Sequence, residues 1–107
     1  MPDDLLKRFP PIDAGNGVTR KVVADSPELM VVTFAFAESG QGLPHSHPHV
    51  QSTFVQSGRF AFTVADATFE VGPGDAFVIP SGAVHGCRAL EPGMLVDTFT
   101  PRRDDFL

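Results

Sequence analysis

The sequence predicts an all-β domain whose sheet is closed or doubled, and three observations carry that expectation. Its apolar runs are short and end at Gly, Pro, Asp or Ser, with turn signals about every 8–12 residues. No ten-residue window shows a convincing helical period. Ten Gly and ten Pro stand against ten Phe, with neither Trp nor Tyr, a composition of many turns around a Phe-filled interior. With 107 residues and 42% apolar content, the chain has room for one core. A domain of this size buries about 65% of the surface it exposes unfolded.

The elements follow in order. Residues 1–16, MPDDLLKRFPPIDAGN, carry a Pro-Pro pair and Gly15 and read as an irregular lead-in to a barrel over residues 17–107. Strands are expected at 18–24 (VTRKVVA) and 29–37 (LMVVTFAFA), the second ended by Ser39-Gly40-Gln41-Gly42. QSTFVQ (51–56) is expected to turn at Ser57-Gly58 into RFAFTVA (59–65), which sets Phe60, Phe62 and Val64 on one face. ATFEV (67–71) and AFVIP (76–80) are separated by Gly72-Pro73-Gly74-Asp75. HGCRAL (85–90) is expected to turn at Glu91-Pro92-Gly93 into MLVDTFT (94–100). Eight strands at this spacing fit a jelly roll, which protects the edges that a flat sheet would leave open to pairing.

Charge excludes some functions. A net charge of −5 with few charged residues argues against nucleic-acid and acidic-membrane partners, and no apolar stretch approaches the length of a membrane span. Six of the eight basic residues are Arg, the side chain suited to gripping a small carboxylate. The single Cys87 cannot form an internal disulfide, and the acidic start MPDDLLKRF does not resemble an export leader, so a cytoplasmic chain is expected.

All four histidines fall in two places: His45, His47 and His49 in LPHSHPHVQ, and His85 in SGAVHGC. On an extended segment His45 and His47 point the same way, and Gln51 shares their parity. His85 opens another strand after a Pro-Ser-Gly turn that can deliver it to the same mouth. Three imidazoles and an amide oxygen would hold one divalent transition metal with positions to spare. Nickel, iron, manganese, cobalt and zinc all accept such ligands. His49 has the right parity too, but Pro48 is expected to break its register and leave it a supporting or interface role.

The spacing carries a resemblance. His45-x-His47, three residues, Gln51, six residues, Gly58 resembles the first cupin motif, with Gln in the place of Glu. Gly74, five residues, Pro80-x-Gly82, two residues, His85 resembles the second, with Ala89 where Asn is usual and Gly40 one residue from the position of the first motif's opening glycine. More closely, GVTRKVV, HSHPHVQ, GRFAFTV, PSGAVHGCRALEPG and LVDTFTPRRDDFL are similar to the pectin-degradation cupins of the KdgF type. That resemblance implies a single-domain cupin barrel that opens the ring of 4,5-unsaturated uronate monomers from pectin or alginate breakdown. It implies a small anionic sugar-acid substrate and a homodimer. Carried over by position, it makes His45, His47, Gln51 and His85 the metal ligands. It ties Asp97 and Arg103 to catalysis, and Phe99 with Arg103 to substrate binding. Val50 stands where Glu is frequent and bears on the surroundings of the ligands.

Read without the family, Asp97 shares a face with Leu95 and Phe99, where an acid is costly unless it is paired or put to use. Two readings are open: a solvent-facing or Arg-paired acid, or a carboxylate in the barrel mouth with a raised pKa. Arg102 and Arg103 leave the same strand, so one guanidinium can fold back to clamp a carboxylate. Cys87 reads as a small core residue. Gln51 is neutral, which leaves the cation its full charge and favours Lewis-acid chemistry on an anionic oxygen over oxygen activation. By the same logic a glutamate in place of Gln51 is expected to tighten metal binding. Two rivals stay open: a metal-dependent dioxygenase or oxidase, and a sugar-binding cupin without catalysis.

Overall fold

The computed structural model describes residues 5–107; the first four residues of the lead-in lie outside it. Eight strands follow in order: β1 Ile12–Gly15, β2 Val18–Ser26, β3 Leu29–Phe36, β4 Gln41–His45, β5 Val50–Val64, β6 Ala67–Val71, β7 Ala76–Ile79 and β8 His85–Thr100. A single 3-10 turn, Asp104–Phe106, follows β8. No helix among the described residues is long and apolar enough to cross a membrane.

Eight strands were expected and eight are present among the described residues, but they are not the same eight. The lead-in read as irregular ends in a strand, β1, which pairs antiparallel with β2 across a turn at Asn16 and Gly17. Gln41 and Gly42, read as part of a turn, open β4, which runs to His45 and pairs with β8. Pro44 is tolerable there because β4 pairs only with β8, so a missing N–H breaks no second ladder.

The turns expected at Ser57-Gly58 and at Glu91-Pro92-Gly93 are not turns. Each sits inside one long strand, 15 residues for β5 and 16 for β8. The two long strands run against each other from Val50↔Thr100 to Val64↔His85, with register shifts between Val55 and Phe60. The glycines that suggested turns are used for close approach instead. Gly58 has φ +80°, and a Cβ on it would sit 2.6 Å from the Pro92 carbonyl oxygen. A Cβ on Gly93 would overlap the Ser57 carbonyl oxygen. Only glycine permits such contact, and the resulting bulge bends both strands together.

That bend makes a two-layered jelly roll from paired strands. The β5 residues before the bend pair with β7 and those after it with β6. The β8 residues before its bend pair with β4, and those after it with β3. One layer is therefore β1-β2-β3-β8-β5-β7 and the other β4-β8-β5-β6. Between them lies a core of Val18, Phe36, Val55, Phe60, Phe62, Val71, Ala89 and Leu95. Phe36 packs edge-on to Phe60 with ring centroids 5.1 Å apart, and Phe62 edge-on to Phe77 at 4.8 Å. Each fully buried Phe contributes roughly 1.5–3 kcal/mol. A second cluster, Val22, Met30, Val32 and Phe99, closes the end from which the C-terminal segment leaves.

Candidate metal centre and its cavity

The H-x-H segment does not lie on one continuous strand. His45 ends β4, while residues 46–49 form an irregular link that delivers the chain to β5. The imidazoles converge nonetheless, because β4 and β8 pair His45 directly with His85. Nitrogen atoms of His45, His47 and His85 all lie within 4.8 Å of one another. Side-chain parity points to the correct group, but the link and the strand pairing bring it together.

The ring tautomers are fixed by the backbone. His45 Nδ1 lies 2.8 Å from the Leu43 carbonyl oxygen, His85 Nδ1 2.9 Å from that of Ala83, and His47 Nδ1 3.1 Å from that of His49. A carbonyl only accepts, so each Nδ1 carries the proton and each Nε2 keeps a lone pair, the arrangement of metal-ligating histidines. Burial lowers the pKa of both His47 and His85, with Gln51 and the Ala83 carbonyl respectively opposing it. Both rings are thus biased toward the neutral form that binds a cation.

Gln51 completes the group. Its Nε2 donates to Thr53 Oγ1 at 3.0 Å and to Asp97 Oδ2 at 3.1 Å, which leaves Oε1 facing His47 Nε2 at 3.0 Å. With His47 neutral, two lone pairs face each other. A cation shared by the two atoms relieves that conflict, so the residues present fit a divalent metal.

Asp97 faces inward, not toward solvent, and no guanidinium is among its partners in the described residues. It is 5% exposed. Burial pushes its carboxyl up to about 7, against the opposing pull of a hydrogen bond with Thr53, its partner across β5 and β8. Its Oδ1 has no hydrogen-bond partner among the described residues.

Of the two arginines, Arg103 folds back. Its Nε and Nη2 donate to Asp105 at 3.0 and 2.8 Å, and its guanidinium carbon lies 4.2 Å from the Phe106 ring centre and 5.2 Å from that of Phe99. Arg102 turns away to Asp25 and Asp104. The fork expected to grip a ligand is therefore half occupied, with Nη1 the end that has no partner among the described residues. His49 donates from Nε2 to the Arg102 carbonyl oxygen at 3.2 Å and ties the metal loop to the tail. Cys87 lies in the wall, its thiol pushed up to about 12 by burial, and is no nucleophile.

These groups meet in a cavity of about 190 Å³. His45, His85, Gln51, Asp97 and Arg103 line its polar side, and Phe34, Phe36, Phe62, Leu95, Phe99 and Phe106 its apolar side. A larger groove of about 390 Å³ touches His85 and Cys87 but runs past Ala61, Thr63 and Thr68, away from Gln51, Asp97 and Arg103. The smaller cavity is the one that brings Gln51, Asp97 and Arg103 together with His45 and His85. Thr53, Asp105 and Phe106 belong to this neighbourhood and went unassigned in the sequence. Thr53 had a signal in its shared parity with Gln51; Asp105 was hidden in what reads as a solvated charge run.

A jelly roll with three converging histidines at one end defines a cupin. The cupin domain matches residues 30–99, and the chain belongs to that family. It is 37% identical over 97 residues to the pectin degradation protein KdgF of Dickeya dadantii, covering 89% of this chain and 88% of that one. Among solved structures, KdgF from a Halomonas species superposes with a TM-score of 0.87 at 40% identity over 92% of each chain. An RmlC-like cupin from Shewanella frigidimarina gives 0.88 at 31% identity, covering 98% of this chain and 92% of that one.

Proposed function

We propose that this cupin opens the ring of 4,5-unsaturated uronate monomers, giving the linear 5-keto-4-deoxyuronate. One observation carries the reading. A buried carboxyl with a near-neutral pKa, Asp97, shares a monosaccharide-sized cavity with two of the converging histidines, His45 and His85, and with an arginine. The naming of two relatives for KdgF, one of them as a pectin degradation protein, supports a pectin-derived substrate.

The reaction is an isomerisation. The anomeric hydroxyl loses its proton and the C1–O5 bond breaks, so that C1 becomes an aldehyde. The electrons left on O5 form an enolate across C4 and C5. Protonation at C4 then converts it to the 5-ketone. One proton leaves and one returns, and nothing is oxidised.

His45, His47, His85 and Gln51 would hold one divalent cation, which supplies Lewis-acid polarisation of the substrate's oxygens. The remaining roles fall to the chain itself. Asp97, with its free Oδ1 and a carboxyl near 7, exchanges the proton at neutral pH. Arg103 presents Nη1 to the substrate carboxylate, held in place by Asp105 and by the rings of Phe99 and Phe106. Phe34, Phe36 and Phe62 form a wall without hydrogen-bonding groups against the unsaturated edge of the ring and keep water from it.

The reading extends to a cytoplasmic homodimer. Its contact face is the outer surface of the larger layer, where Val31, Thr98, Ser52 and Val78 form one row and Thr33, Val96, Phe54 and Ala76 the next. Across β3, β8, β5 and β7 neither row carries a charge, and the second continues on β2 to Lys21, so no acidic side chain of these rows opposes the meeting of two acidic chains. Phe54 and Val78 stand 43% and 63% exposed on it.

The test is incubation with a 4,5-unsaturated uronate monomer and each divalent metal in turn. Ring opening removes the ultraviolet absorbance of the conjugated C4=C5 bond faster than the spontaneous background. A rate equal to background with every metal sinks the proposal, and stoichiometric oxygen uptake would replace it with an oxidase.

A further inference from the structure

We infer that Thr53 and Asp97 form a cradle that aims the Gln51 carbonyl oxygen at the histidines, and that Asp97 is the reason position 51 carries an amide and not a carboxylate. The inference rests on the metal reading proposed above and deepens it. A glutamine amide has two N–H groups and one oxygen. Both N–H groups are used on the side away from the histidines, one on Thr53 Oγ1 at 3.0 Å and one on Asp97 Oδ2 at 3.1 Å. Thr53 is fully buried and Asp97 nearly so, so no water competes for these donors. The oxygen is left pointing at His47 Nε2. An amide turned end for end would set its oxygen against the Asp97 carboxylate and its N–H groups against the metal side, losing the bond to Asp97.

Strand register explains the meeting. Gln51 and Thr53 share the inner face of β5, and Thr53 lies directly opposite Asp97 on β8. A glutamate in place of Gln51 has no N–H to give. It would place a carboxylate oxygen about 3 Å from Asp97 Oδ2 with no amide N–H between them, so the two buried carboxyls must either carry like charges or share a proton, and a carboxyl that shares its proton is a weaker ligand for a cation. The gain expected from charge alone, that glutamate tightens the cation, is therefore cancelled by a residue 46 positions away.

Four proteins test it: wild type, Gln51→Glu, Asp97→Asn and the double variant. Zn²⁺ and Ni²⁺ affinities are measured by competition with a chromophoric chelator, with melting temperatures as the folding control. Gln51→Glu is expected to bind metal no more tightly than wild type. In the Asp97→Asn background the introduced amide can donate to the introduced carboxylate. There the same Gln51→Glu substitution is expected to tighten binding at least about tenfold, a coupling in the range of contacting residues. An equal effect in both backgrounds overturns the inference and leaves the metal reading standing. Failure of the wild type to take up either metal sinks the metal reading, and the cradle with it. A second pair works even should Gln51→Glu not fold. Thr53→Val is expected to lower metal affinity about tenfold while Thr53→Ser retains it, and unchanged affinity in Thr53→Val overturns the cradle.

Discussion

In the proposed reaction Asp97 moves the proton, and its burial has a measurable cost. An unfolded aspartate titrates near 3.8, whereas here the carboxyl is held at about 7. Between those values the folded chain binds the extra proton, so stability falls as pH rises from about 4 to about 7 and is level above that. Three pKa units correspond to roughly 4 kcal/mol at most. Asp97→Asn removes the dependence, and its advantage in melting temperature over metal-free wild type should therefore grow from pH 5 to pH 8. Thermal denaturation across that range checks it; a constant difference would mean that the acid is not desolvated. The same variant should lose ~10²–10⁴-fold in kcat with metal content unchanged, the usual contribution of a placed proton donor.

Among the elements, the tail and the bend position everything else. The segment after β8 returns Arg103 over the cavity and is held by the Asp105 pair, by Phe106 against Phe34 and Phe99, and by the Arg102–Asp25 contact. A carboxylate clamp holds substrate and transition state alike, so Arg103→Ala should raise KM more than it lowers kcat. Steady-state kinetics on the uronate monomer decide it, and a loss confined to kcat would assign Arg103 to the chemical step instead. The bend depends on Gly93. Its replacement by Ala puts a methyl into the Ser57 carbonyl oxygen, where two backbones meet and neither can yield cheaply. We expect a loss of about 3 kcal/mol or more, about 12–24 °C in melting temperature for a domain of this size. A near-neutral Gly93→Ala would show that the strands separate at the bend without cost.

For the whole molecule, the outer face of the larger layer is the feature that a monomer leaves unexplained. In a chain of net charge −5, two adjacent rows across four strands hold no charged residue. An isologous dimer covers such a face with its own copy. Phe54→Asp should convert the protein to a monomer by light scattering while keeping its metal affinity, because Phe54 points away from the cavity. A wild-type monomer at micromolar concentration would refute the dimer.

The sequence by itself determined the all-β class, the Phe-filled core, the cupin spacing and the residue types of the site. These are local properties: alternation, turn chemistry and motif distance are written in adjacent residues. The tertiary structure decided what those marks are used for. Gly58 and Gly93 read as turns because glycine permits both a turn and a close approach, and only their meeting across β5 and β8 selects the second. Pro44 disguised β4, since a strand paired on one side need not look like a strand. Which arginine reaches the cavity, and which acid holds it, depended on a tail whose charge run reads as solvated surface. The partners of Gln51 lie on another part of the chain, and hydrogen-bond complementarity between two buried side chains exists only once the strands have set their register.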